Sequence, residues 1–127
     1  MLPAFPAWVM AVIGVTLAMV VLSAAQLPAT ASAVSHYRSG QERLDASDYP
    51  GCADEMVAAV SAMPDSPKAW AYESYCYLLD HDNSAGLSAW ATARSIDPTV
   101  TLDNRSDQLA FEAKLTAAAR PPVGGKK

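Results

Sequence analysis

Hydrophobic positions follow two regimes along this chain. From Trp8 to Ala25 eighteen residues run without a charge, and at about 1.5 Å per residue such a helix reaches roughly 27 Å, close to the hydrocarbon thickness of a bilayer. Beyond Ser35 the chain is punctuated at helix length by prolines and capping residues, and no stretch alternates with period two for long enough to predict a strand. The pattern predicts an all-α protein: a short flank over 1–7, a transmembrane helix over 8–25, a linker over 26–35, a helical domain over 36–119 and a tail over 120–127. Within the domain, helices are expected near 34–47, 51–63, 67–80, 84–96 and 103–119. Ser66-Pro67 supplies an N-cap and a first-turn proline, Asp82-Asn83-Ser84 can cap the next helix, and Pro64 and Pro98 stop the helices before them.

The apolar segment admits two readings. Trp8 stands where an interfacial aromatic anchors a span, and Pro3 and Pro6 limit its extension toward the N-terminus. Ser-Ala-Ala and Ala-Ser-Ala, by contrast, supply the small residues of a signal-peptidase site, which would make this a secreted protein with a cleaved leader. Residues 1–7 hold no Lys or Arg, and the apolar run exceeds the usual signal-peptide core, so a retained anchor is the expectation. Ala7, Ala11, Gly14 and Ala18, continued by Ala25, share one face of this helix, and small residues there permit close helix packing in lipid. Plain alanine abundance explains the same stripe equally well, since 25 of the 127 residues are Ala.

Charge sharpens the division. Residues 1–35 contain no Asp, Glu, Lys, Arg or His, so all 22 acidic and basic charges fall in the remainder. The net charge of −4, with Lys126-Lys127 as the one basic run, gives no surface for phosphate, and no nucleic-acid partner is expected. The length allows one small domain beside the apolar segment and excludes a large multidomain enzyme.

Comparing the soluble part with itself at an offset of 34 residues aligns Leu44 with Leu78, Asp48 with Asp82, Ala59 with Ala93, Ser61 with Ser95 and Pro64 with Pro98. The same offset places His36 on Trp70, Gly40 on Ser74, Cys52 on Gly86 and Met56 on Trp90. Ring, small, small, bulky is the order that two packed helices need, with small side chains where their axes cross. The sequence Trp70, Ser74, Tyr77, Gly86, Trp90, Ala93 and Pro98 at this period resembles the tetratricopeptide (TPR) pattern, and Ser47-Asp48-Tyr49-Pro50-Gly51-Cys52 resembles the family's turn into its second helix. The resemblance covers about 87 of the 127 residues, as repeats near 33–66 and 67–100 and a cap helix over 101–119. The first copy departs from the pattern at His36 and Arg43, where rings are expected.

The resemblance implies a protein-binding surface lined by the first helix of each repeat. It assigns to that groove Tyr37, Gln41 and Leu44, then Lys68, Ala71, Tyr75 and Leu78, and Arg105 from the cap, a mixed apolar and aromatic lining suited to a peptide. The Lys/Asn/Arg set by which chaperone-binding relatives grip a C-terminal carboxylate is missing, Tyr37 and Gln41 replacing two of its members. It also brings Cys52, at the start of one helix, toward Cys76, late in its antiparallel neighbour; the two are either a disulfide or small buried packing residues. Trp70, Tyr77 and Trp90 are expected as core.

Catalytic and metal chemistry find little footing. Asp80-His81-Asp82-Asn83-Ser84 opens like a calcium loop, but Ala85 replaces its glycine and Ala91 its bidentate glutamate, so it reads as a solvated turn. His36 and His81 are isolated and expected exposed, without the spacing of a zinc site. No phosphate-binding glycine loop, nucleophile elbow or Cys/His pair is present, and Glu42, Asp45 and Asp48 read as a solvated acidic surface. Neither an enzymatic role nor a cofactor is expected.

The function expected from these features is a membrane-anchored interaction module, foremost a non-catalytic accessory subunit of a multi-subunit membrane complex, in contact with the bilayer and with protein partners through both anchor and groove. A transient adaptor or assembly factor that captures client segments is the alternative. Two repeats are fewer than the three or so that such stacks need alone, which favours a larger assembly. Resemblance to small single-span bacterial TPR proteins suggests the inner membrane with the domain in the periplasm, whereas Arg38 and Arg43 close to the span favour the cytoplasmic side.

Overall fold

The computed structural model describes residues 31–120, and every regular element among them is helical. Helix α1 covers 31–45, followed by α2 (Tyr49–Ala62), α3 (Pro67–Leu79), α4 (Asn83–Ile96) and α5 (Arg105–Ala119). Among the described residues no helix is long and apolar enough to cross a membrane. The predicted span 8–25, with Ala7, Ala11, Gly14 and Ala18, lies outside the described residues, as do all but the first residue of the predicted tail 120–127. Residues 31–35, read as linker from sequence, are helical, and Ala33 is buried. An uncharged run of small residues says little locally about its state.

Helix boundaries are set by local chemistry that recurs at the sequence period. Asp48 Oδ1 accepts from Gly51 N at 3.0 Å, and Asp82 Oδ1, 34 residues on, accepts from Ala85 N at 3.2 Å. The preceding residues Ser47 and His81 both adopt left-handed backbone, with φ 60° and 64°. Around each, two bonds close the end of the helix before it: Ser47 N to Leu44 O and Asp48 N to Arg43 O in the first copy, His81 N to Leu78 O and Asp82 N to Tyr77 O in the second. The helices that follow, Tyr49–Ala62 and Asn83–Ile96, have the same length and the same offset. The intervening α3 is capped by Ser66 Oγ, which accepts from Ala69 N at 3.3 Å, with Pro67 in its first turn.

Helix α3 is the centre of the bundle. Ala71, Tyr72, Ser74, Tyr75, Cys76 and Leu78 are all buried, because α1, α2, α4 and α5 surround it. Its crossing with α4 is as close as the sequence implied: Ser74 Oγ donates to Gly86 O at 2.6 Å, and a Cβ on Gly86 would meet Leu78 Cδ2 at 2.6 Å. Gly40 gives α1 the matching approach to Met56 on α2, and Tyr37 meets Tyr72 edge-on at 5.5 Å. Helix α5 closes the remaining side with Phe111, fully buried between Tyr75 at 5.5 Å and Trp90 at 5.0 Å. Removing that ring from water contributes roughly 2–3 kcal/mol. Trp70, Tyr77 and Trp90 pack partly buried against the core, and the Trp70 indole N–H donates to Pro64 O at 2.8 Å.

Candidate functional site

An apolar recess of about 250 Å³ opens where α1, the end of α2 and the start of α3 meet. Ala33, Val34, Tyr37, Met63 and Ala69 form its walls and Lys68 stands at its edge. Val34 and Met63 keep 47% and 36% of their surface in water, so the apolar lining is accessible. Such concavities, largely apolar with a few placed polar groups, are where proteins hold ligand side chains.

Beside it, sharing Tyr37 and Lys68, is a built carboxylate site. The Lys68 ammonium lies 3.0 Å from Asp103 Oδ1, and the hydroxyls of Tyr37 and Tyr72 donate to Asp103 Oδ2 at 3.3 and 3.4 Å. The Asp103 backbone N–H donates back to the Tyr72 oxygen at 3.1 Å, and Lys68 also donates to Thr101 O. The hydrogen bond from Lys68 leads the forces that hold the Asp103 carboxyl below the usual range. Burial, reinforced by the nearby Asp103 charge, pushes the Tyr37 phenol far up, so it remains a donor at any physiological pH. Tyr72 rises from burial as well.

Asp103 arrives there on the connection between α4 and α5, whose Val100 and Leu102 turn inward and are buried while Thr101 and Asp103 face outward. Helices α4 and α5 cover the face of α3 that the resemblance assigned to a groove, Leu78 meeting Gly86 and Tyr75 meeting Phe111. Ala71, Tyr75 and Leu78 are therefore core residues, at most 5% exposed, and do not line an open surface. Leu44 packs partly against the core and, with Gln41, borders a shallow depression that Tyr72 and Asp103 also line and that Asp45 and Asp107 make acidic. Arg105 is exposed at the start of α5 in a depression lined also by Thr101, Asp103 and Leu109. Of the predicted groove Tyr37 and Lys68 meet at Asp103, and Gln41 and Leu44 meet in the neighbouring depression that Tyr72 and Asp103 also line. Tyr72 and Asp103 escaped the sequence reading, although the apolar-polar alternation of Val100 to Asp103 signals a segment laid on a core.

Glu73 is the other departure. It sits on α3 in the turn between Trp70 and Tyr77 with 6% of its surface exposed, and Oε2 has no hydrogen-bond partner among the described residues. Burial pushes its carboxyl up to about 7. His36 also differs from expectation: it is half-buried, and its Nδ1 lies 2.8 Å from Glu55 Oε2, tying α1 to α2. His81 is exposed in the turn before α4.

The structure joins Cys52 and Cys76 in a disulfide across α2 and α3, with Cα atoms 5.8 Å apart and both residues fully buried. Among the described residues, no group of three or more His, Cys, Asp or Glu is placed to hold a metal ion. No family model, curated protein or solved structure matches the chain.

Proposed function

We propose that this chain is a membrane-anchored protein-interaction module of the tetratricopeptide type, serving as a non-catalytic accessory subunit of a multi-subunit membrane complex. The observation that carries the reading is the structural repeat. Capping aspartates, left-handed turn residues and the helices after them recur at 34 residues, with small residues at the α3–α4 crossing. Helical-hairpin repeats of this length act chiefly as binding surfaces.

The accessible recess beside the Lys68 cradle supplies a place for a partner side chain, and the uncharged segment 8–25 supplies the attachment. The disulfide favours an extracytoplasmic domain, because cytosolic thiols are kept reduced. Purification of the tagged full-length chain from its native membrane in mild detergent tests the assignment. A subunit retains defined membrane proteins at fixed ratio through successive columns. A chain that elutes alone, or with partners whose ratio falls at each step, is not a subunit, and the second outcome identifies a transient adaptor.

A further inference from the structure

The cradle of Tyr37, Lys68 and Tyr72 is built around a carboxylate, and the carboxylate it holds belongs to the chain itself. We propose that this is a recognition site for a single acidic residue in a partner segment, which displaces Asp103 and inserts a neighbouring apolar side chain into the recess; the proposal rests on the interaction function given above and names its ligand.

Three observations converge on that occupant. An ammonium and two phenolic hydroxyls already converge on one carboxylate, so the donors are in place for an anion and would be left without it. Asp103 is held by the least buried end of its segment: Val100 and Leu102 are buried in the core, whereas more than half of the Asp103 side-chain surface remains in water. Exchange of its carboxylate for another leaves the apolar anchors of the connection where they are. Finally, the recess adjoins the cradle through Tyr37 and Lys68, and its 250 Å³ accommodates one leucine-sized side chain.

The surroundings also restrict the ligand. Asp45 and Asp107 line the depression that Tyr72 and Asp103 share, so a second acid on the partner would be repelled. The segment that fits has one acidic residue with apolar neighbours, not an acidic run.

The test uses the full-length, disulfide-intact protein in detergent micelles, with acetyl-Leu-Asp-Leu-amide as the probe and the Met63 methyl resonance as the reporter. Asp103→Asn removes the internal competitor and is expected to bind the probe at least about tenfold more tightly than the unsubstituted chain, the contribution of one charge-assisted hydrogen bond. Adding Lys68→Met to Asp103→Asn, or replacing the probe by acetyl-Leu-Asn-Leu-amide, is expected to abolish the gain. Should Asn disturb the turn, as judged by helicity, Asp103→Ser serves in its place and retains the backbone bond to Tyr72.

Equal affinity with and without Asp103, binding that survives Lys68→Met, or no binding to any form overturns the proposal. Retention of native partners at fixed ratio by the Lys68→Met chain would remove this site and leave the proposed function standing. Probe binding by a chain that purifies without partners would do the reverse.

Discussion

Glu73→Gln isolates the cost of a charge in the centre of the bundle. The residue keeps 6% of its surface in water, lacks a partner for Oε2 among the described residues, and has its carboxyl raised from its ordinary 4.5 to about 7 by burial. In the folded state it holds a proton that the unfolded chain releases above 4.5, so its effect on stability is harmless below pH 4.5 and unfavourable progressively from there to about pH 7. The displacement corresponds to about 3 kcal/mol once the group is ionised, or about 10–20 °C in Tm for a domain of this size. Asp48, Asp97 and Asp103 act in the opposite sense. Hydrogen bonds from Arg43, Thr99 and Lys68 respectively depress them below 3.8, and the stability they lend is lost only as pH falls through those lowered values. A window from pH 4.5 to 8 therefore reports Glu73. Thermal unfolding of the two proteins across it should converge at the acid end and separate at the alkaline end, with the Gln variant more stable at pH 8. Parallel curves, or a variant no more stable at pH 8, would refute a buried ionisable Glu73.

Two further outcomes follow from packing and crosslinking. Gly86→Ala gains up to about 1 kcal/mol of helix propensity but loses about 1–3 to overpacking, because its Cβ would lie 2.6 Å from Leu78 Cδ2 and 3.3 Å from Ser74 O. Urea unfolding should show net destabilisation, and a more stable variant would mean that α3 and α4 are not in the close contact described. Reduction of the Cys52–Cys76 bridge, whose cysteines are 24 residues apart, should lower stability by about 3 kcal/mol on the chain-entropy argument. Alkylation of the native protein should require both reductant and unfolding, since neither cysteine has exposed surface; two thiols that react without reductant would show that the bridge is absent.

If the domain works as proposed, its design joins an open apolar recess to a cradle that is already satisfied. A satisfied cradle prevents Lys68 and the two phenols from capturing anions indiscriminately, because any ligand must outcompete a tethered carboxylate. Effective concentration of a tethered group is high, so only a segment that also fills the recess gains enough to displace it. Specificity then comes from the pairing of one acid with one apolar neighbour, and neither part suffices alone.

Local chemistry in the sequence determined the helical punctuation. Ser66-Pro67, Asp82 and the prolines at 64 and 98 act on the backbone groups next to them, and the helices stop and start within a few residues of where they predict. The 34-residue spacing likewise announced the small-residue crossing at Ser74 and Gly86, because close approach of two helix axes leaves no alternative to small side chains there. Only the tertiary structure decided which face of α3 stays open. The resemblance placed Lys68, Ala71, Tyr75 and Leu78 together, but Tyr75 packs on Phe111 of α5, Leu78 against Gly86 of α4 and Ala71 within the same core, which leaves Lys68 to meet Asp103, 35 positions away. A helix pattern records which residues share a face; what covers that face depends on loop path and on contacts between segments far apart in the chain. For the same reason Glu73, polar by type and unremarkable in spacing, became a buried carboxyl only in the packed bundle.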